Sequence, residues 1–272
     1  MDLGITGRVA LVTGAGHGVG RRLALDLAVE GARVVVNDLF AERADCVAAE
    51  IVAAGGDAIG IAADVTDVAG VEAMFERAAS HFGEPVRILV NNAGIAPERR
   101  AKGGLPPTFL NMPVADAEKV VAINLSGTMN CVRAALPGMI AAGGGKIVSI
   151  ISEAGRQGEY GLAAYSGGKA GISGFSKAIA LEHGRDRINI NMVALGAVAH
   201  EGIKSGAATA LDATPENNPR LAKMLKAYPI ARGLNRLARP EDVSGAVCFL
   251  ASTRADFITG QTLGVSGGFV MH

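Results

Sequence analysis

Tyr165 and Lys169 stand four residues apart in the segment AAYSGGKAG, and downstream of them Ile172, Phe175, Ile179 and Leu181 recur at roughly helical spacing. The pattern predicts a helix running to about Glu182, and on a helix residues four apart share one face. A free phenol, with a pKa of about 10, is a poor base at neutral pH, but a nearby ammonium favours the phenolate, each tenfold gain in acidity corresponding to about 1.36 kcal/mol. Lys169 supplies that ammonium, which makes Tyr165 a usable general acid and general base. Gly167, Gly168, Gly171 and Gly174 fall in the same helix. Each costs about 1 kcal/mol relative to Ala, so their use there implies that something approaches the backbone closely.

A second glycine cluster, VTGAGHGVG, follows the first apolar run of the chain and opens a helical pattern. Gly14, Gly18 and Gly20 fit G-x-x-x-G-x-G, with Gly16, His17 and Val19 between them. Gly14 permits a tight turn, Gly18 lets the backbone approach a pyrophosphate, and Gly20 lets helix meet strand, while the helix amino terminus faces the phosphates. The alternative is a glycine-rich turn with no ligand. Asp38 lies eighteen residues after Gly20, at the end of VVVND. There a carboxylate would accept hydrogen bonds from the adenosine ribose and repel a 2′-phosphate, which points to NAD. The other reading of Asp38 is the N-cap of a helix starting near Phe40. Asp64 also has two readings, an adenine contact or the start of the turn DVTD.

These residues must be positioned by short apolar runs alternating with helical stretches. The strand candidates are RVALVTG, ARVVVND, DAIGIAADV, VRILVNNAG, GKIVSIIS and ININMVAL, and the chain closes with a helix near Pro240 to Ser252 and a strand near Thr262 to Val265. Strands joined by helices are parallel, and near-continuous apolar strands are covered on both faces. The expectation is an α/β fold: one doubly wound, Rossmann-type parallel sheet spanning residues 1–272 as a single domain. Two irregular stretches, about 95–115 and 200–228, interrupt the rhythm and read as substrate loops.

The 272 residues are 49% hydrophobic and 19% charged, with 26 basic and 26 acidic side chains. That balance argues against a nucleic-acid or membrane-surface partner. Cys46, Cys131 and Cys248 lack metal-ligand spacing and read as inert core thiols, so no metal is expected. The amino terminus has no secretory pattern, and no long apolar run occurs. A cytoplasmic, soluble protein follows as the expectation.

Taken in order, TGAGHGVG, NNAG at 91–94, Asn124 in AINLSGT, Ser152 closing KIVSIIS, and Tyr165 with Lys169 in YSGGK resemble the short-chain dehydrogenase/reductase family from about Gly7 to Gly268. The thirteen-residue gap from Ser152 to Tyr165 matches as well. The resemblance implies an NAD(H)-dependent oxidoreductase interconverting a secondary alcohol and a ketone, with Asn124, Ser152, Tyr165 and Lys169 as its catalytic tetrad. It also implies cofactor contacts at Gly14, His17, Gly18, Val19, Gly20, Asp38, Asp64, Val65, Asn91, Ala93, Gly94, Tyr165, Lys169, Gly196 and Val198. In the family the helix of Tyr165 builds a subunit interface, so a homotetramer or homodimer is expected, with a small-molecule alcohol or ketone as substrate. A hydroxyacyl or cyclic hydroxyacyl-CoA substrate is one possibility; an NADP-linked 3-oxoacyl reductase and a non-catalytic dinucleotide-binding regulator are the alternatives. The chain departs from the family at ALGAVAH, where Leu195 replaces a Pro and His200 a Thr that helps hold the nicotinamide, and at Ser266, where Asp is common. Arg99, Arg100 and Lys102 could meet an anionic substrate or simply be solvated.

Overall fold

In the computed structural model, residues 2–94 and 108–271 are described. The chain runs β1 (Val9–Val12), α1 (Gly18–Val29), β2 (Arg33–Asp38), α2 (Ala41–Ala53), β3 (Asp57–Ala62), α3 (Val68–Phe82) and β4 (Ile88–Asn91). It continues through α4 (Val114–Val121), α5 (Gly127–Ala141), β5 (Gly145–Ser152), α6 (Glu153–Gln157), α7 (Ala163–His183) and β6 (Ile188–Leu195). The last elements are α8 (Pro219–Ala227), α9 (Pro229–Leu234), α10 (Pro240–Ala251) and β7 (Thr262–Val265). Among the described residues the six strand pairings are all parallel, in the order β3-β2-β1-β4-β5-β6-β7. The chain winds one way from β1 to β3 and the other way from β4 to β7. The crevice therefore opens where β1 meets β4, at the carboxyl ends of the strands.

Two apolar layers hold the helices on the sheet. On one face Leu23 and Leu27 of α1, Val47 and Ile51 of α2, and Val247 and Leu250 of α10 bury against Val12, Val34, Val36, Val90 and Val148. On the other, Met74 and Phe75 of α3, Val132 and Met139 of α5, and Ala180 of α7 cover Val9, Leu11, Val35, Leu89 and Ile147. Alternate residues of each strand thus face opposite layers, and each large side chain so buried contributes about 1.5–3 kcal/mol.

Three expectations need correction or limits. Cys46 is exposed, because α2 buries Ala44, Val47, Ala48 and Ile51 and turns Cys46 to solvent; Cys131 and Cys248 are buried, their thiols pushed up to about 12 by desolvation. The stretch 200–228 is not irregular throughout, since it contains α8. Pro219 sits in the first turn of that helix, and Asn218 caps it by accepting from the Leu221 amide at 3.1 Å. Leu221 and Leu225 join Ala208, Ala231 and Leu237 in a small apolar cluster of their own. Of the stretch 95–115, residues 95–107, including Arg99, Arg100 and Lys102, lie outside the described residues; the rest holds a short 3-10 helix, Phe109–Asn111, and the start of α4 at Val114. No helix among the described residues is long and apolar enough to cross a membrane.

Candidate active site

The glycine loop turns sharply off β1. Gly14 and Gly18 adopt φ of 61° and 59°, the left-handed region that costs other residues strain. A Cβ on Gly20 would overlap the Gly14 carbonyl oxygen, so α1 rises directly against the turn. The NNAG segment braces it: the Thr13 hydroxyl oxygen accepts from the amides of Asn92 and Ala93, each at 3.0 Å, and the Asn92 amide group donates to the carbonyls of Thr13 and Gly14 at 2.9 and 3.0 Å. Asn91 holds β4 to β5 through its side-chain donation to the Ser149 hydroxyl at 3.2 Å, which makes Ser149 a buried structural partner.

Asp38 does not cap α2. The residue at that cap is Phe40, and Asp38 Oδ1 accepts from its amide at 3.2 Å while Oδ2 accepts from the Gly16 amide at 3.0 Å. The buried carboxylate thus closes the glycine loop from the side, with His17 Nδ1 4.0 Å away. Gly16 is required by crowding, since its Cβ would lie 2.6 Å from Asp38 Oδ2 and 2.5 Å from Arg43 Cβ. Arg43 was not anticipated; its guanidinium lies over the Phe40 ring, 4.5 Å from the centroid. Arg21 pairs with Glu50 and lies 4.0 Å from Glu201, while Arg22 pairs with Asp26 at 2.9 Å. Asp64 is exposed and makes the turn, accepting from the Thr66 amide and hydroxyl at 2.8 and 2.7 Å, while Val65 is buried.

Asn124 and Lys169 meet beside Gly94 at the end of β4, with Tyr165 next to Lys169, and Ser152 stands at the end of β5. Asn124 sits in a π-helical turn, residues 122–126, between α4 and α5, where the Gly127 amide reaches back to the Ala122 carbonyl. Such bulges aim side chains away from the regular helical path. The Asn124 side-chain amide donates to the Val120 carbonyl at 2.8 Å, and its Oδ1 is buried without a protein donor among the described residues. Lys169 is buried, donates to the Ile150 carbonyl at 2.8 Å, and stands 5.9 Å from the Tyr165 ring centroid. Desolvation lowers its ammonium to about 8, so the group remains largely charged at neutral pH. Tyr165 is half-buried against the cluster of Met112, Val120 and Ala164. Ser152 ends β5, its hydroxyl oxygen accepting from the Ala154 amide at 3.1 Å.

The glycines around the Tyr–Lys pair divide by role. A Cβ on Gly168 would meet Asn124 Cβ at 3.4 Å, and one on Gly171 would meet Leu125 at 2.9 Å, so these two let α7 close on the π turn. Gly167 and Gly174 have nothing within 4 Å. Opposite the pair, a Cβ on Gly94 would lie 3.0 Å from Asn124 Oδ1 and 3.4 Å from Lys169 Nζ. Only a bare backbone keeps that space open.

A family model for short chain dehydrogenases matches residues 8–209. The chain belongs to the short-chain dehydrogenase/reductase family. It is 37% identical over 269 residues to a 3-oxoacyl-[acyl-carrier-protein] reductase of Synechocystis sp., covering 98% of each protein. To 7alpha-hydroxysteroid dehydrogenase of Escherichia coli K12 it is 35% identical over 271 residues, covering 100% of this chain and 97% of that one. The solved structure of a 7 alpha-hydroxysteroid dehydrogenase complexed with NADH and 7-oxo glycochenodeoxycholic acid matches it with a TM-score of 0.85 at 35% identity, covering 100% of this chain and 97% of the other. This short-chain dehydrogenase is thus an oxidoreductase of a family that acts on alcohols and ketones.

In this dehydrogenase the segment after β6 folds back over the glycine loop. His200 is buried there and not at the end of the crevice nearest Tyr165: a Cβ on Gly18 would lie 2.7 Å from its Nδ1, which accepts from the Gly202 amide at 3.1 Å. Glu201, which carried no sequence signal, accepts from the Gly18 amide at 2.9 Å. Burial disfavours its charge, yet its own amide, the Gly18 amide, His200 and Arg21 outweigh burial and hold its carboxyl below the ordinary value. The Tyr228 hydroxyl oxygen accepts from the Ala197 amide at 3.2 Å, and its ring stacks on Phe269 at 4.6 Å. Gly196 is needed where Tyr228 passes, since a Cβ would sit 2.7 Å from that ring, and Val198 is tied to Ala238 by an isolated parallel bridge.

Proposed function

We propose that this chain is an NAD(H)-dependent dehydrogenase or ketoreductase that interconverts a secondary alcohol and a ketone, with Tyr165 as the acid and base. The observation that carries the reading is the buried Lys169 ammonium held 5.9 Å from the Tyr165 ring. A buried ammonium beside the ring favours the phenolate over the neutral phenol, which brings Tyr165 toward use as an acid and base at neutral pH.

The residues fit a dinucleotide. The turn of Gly14, the bare backbone at Gly18 and Gly94, and the first turn of α1 offer amides and space, and the Gly18 amide already holds a carboxylate, which supports an anion there. Asp38 would face the adenosine ribose, with Asp64 and Val65 toward the adenine, Asn91, Ala93 and Gly196 along the crevice, and Lys169 at the nicotinamide ribose. Bound nicotinamide dinucleotide supplies the hydride acceptor for oxidation and the hydride donor for reduction. In oxidation the Tyr165 phenolate takes the alcohol proton; in reduction the phenol returns it to the carbonyl oxygen. Among the described residues the Ser152 hydroxyl proton has no acceptor, which leaves it to hydrogen-bond the substrate oxygen as charge develops. Asn124 Oδ1 would accept from a relay water.

The same reading extends to a single-domain, cytoplasmic homotetramer or homodimer. It is supported by apolar side chains left exposed on α5 and α7, Met129, Ile140 and Leu181, and by free thiols, which suit a reducing compartment. A second reading, an NADP-linked 3-oxoacyl reductase, draws on the Synechocystis relative and on Arg43 beside Gly16. The deciding experiment is hydride transfer with NAD and with NADP across secondary alcohols, cyclic hydroxyacids, hydroxysteroids and hydroxyacyl thioesters. Turnover with NAD on one class supports the proposal; preference for NADP favours the second reading, and binding without any turnover would make the chain a dinucleotide-binding regulator.

A further inference from the structure

At the end of the sheet opposite the crevice, four neighbouring strands begin with a cation. Arg8 precedes β1, Arg87 precedes β4, Lys146 is the second residue of β5, and Arg187 precedes β6. The parallel register sets them side by side: the Arg87 amide donates to the Val9 carbonyl, the Lys146 amide to the Arg87 carbonyl, and the Gly145 amide to the Arg187 carbonyl, at 2.9, 2.9 and 3.2 Å. Together they line a cavity of about 740 Å³. Among the described residues, the only carboxylate in its lining is Asp256, which accepts from Lys146 Nζ at 2.6 Å. Arg87 donates to the Gly144 carbonyl at 2.6 Å, and Arg8 and Arg187 make no ion pair among the described residues. Three guanidinium charges therefore face the cavity with no described counter-charge.

Two further observations show that the fold tolerates this arrangement at a cost. Burial lowers the Arg87 guanidinium, with repulsion from Arg8 adding to it; burial also lowers Lys146, against its pairing with Asp256, and Arg8 acts on it in the same direction. Arg187 is one of two described non-glycine residues with positive φ, at 59° with ψ of 34°. A flexible cation without local hydrogen-bonding capacity is poorly suited to the left-handed region, where Gly or Asn would be favoured. That conformation closes the 3-10 turn Gly184–Asp186 and so fixes where Arg187 enters the cavity lining.

We propose that this cavity is a second binding site, separate from the crevice, for a compact polyanion of the phosphate class carrying two or more negative charges. Planar guanidinium forks match phosphoryl oxygens, and the low exposure of Arg87 and Lys146 makes each contact stronger than at an open surface. The volume suits a small molecule. Phe257, fully exposed at the rim, offers an aromatic platform for any organic part.

The test is calorimetric titration of the full chain with inorganic pyrophosphate at constant ionic strength in sodium chloride, with and without saturating NADH. Saturable binding that persists with NADH present is expected. Arg187→Gly should weaken pyrophosphate at least tenfold while raising the melting temperature, because glycine relieves the strained backbone. Arg8→Ala, at a side chain with no partner to lose among the described residues, should weaken it comparably, and it decides the matter if Arg187→Gly fails to fold. The proposal is overturned by binding no stronger than the chloride control, by binding that NADH abolishes, or by unchanged affinity in the folded variants.

Discussion

The Gly18 amide donates to the Glu201 carboxylate at 2.9 Å, so an anion belonging to the chain itself holds the amino terminus of α1, where a dinucleotide would place its pyrophosphate. Both cannot use the same donor. Glu201→Gln keeps the shape and removes the charge, and should tighten NADH binding about 3- to 10-fold, since the helix terminus and a charge-assisted hydrogen bond together favour the native carboxylate by about 1 kcal/mol. A fluorescence titration of NADH decides it; unchanged or weaker binding would mean that Glu201 does not compete.

Tyr165→Phe retains the ring packed against Met112, Val120 and Ala164 and removes only the hydroxyl. Turnover should fall by about 10²–10⁴, the range of general acid–base catalysis, with NADH affinity within about 2-fold of the parent. Substantial residual turnover assigns the proton transfer to another group.

Lys169 protonates near its ordinary value of 10.5 in the unfolded chain and near about 8 in the fold, because burial disfavours the ammonium. Between those values the unfolded state binds more protons, so stability of the cofactor-free protein should rise with pH there, by up to about 3 kcal/mol, and be flat with respect to this group below about 8. Lys169→Met should be more stable than the parent near neutrality and lose that rise. Urea unfolding midpoints at about pH 8 and about pH 10 measure it; the same slope in both proteins would place the titration elsewhere, Lys146 being the first candidate, since burial lowers it too.

Asp38 sits between the Gly16 and Phe40 amides with Arg43 beside it. Asp38→Ala should weaken NAD and relieve the penalty on NADP, narrowing the ratio of their kcat/KM values by about 10-fold or more. Arg43→Ala should move that ratio the other way. A parent enzyme that already favours NADP, or a ratio unchanged in the Asp38 variant, would limit Asp38 to closing the glycine loop.

Local pattern was enough for the α/β class, the parallel strands and the helix carrying Tyr165 and Lys169, because side-chain periodicity and turn-forming glycines are properties of short segments. The final strand, Thr262–Val265, was legible as well. It was enough, too, for the glycine loop and Asp38, whose spacing encodes a turn and a strand end. Whether Cys46 faced the core, and whether 200–228 held a helix, depended on which face packs, and periodicity left that open. Only the tertiary structure brought Glu201 onto the Gly18 amide, 183 residues apart in sequence. The same holds for the four cations at the amino ends of β1, β4, β5 and β6. Equal totals of acidic and basic residues conceal that asymmetry, because net charge sums over the chain while a field is felt only over about 10 Å.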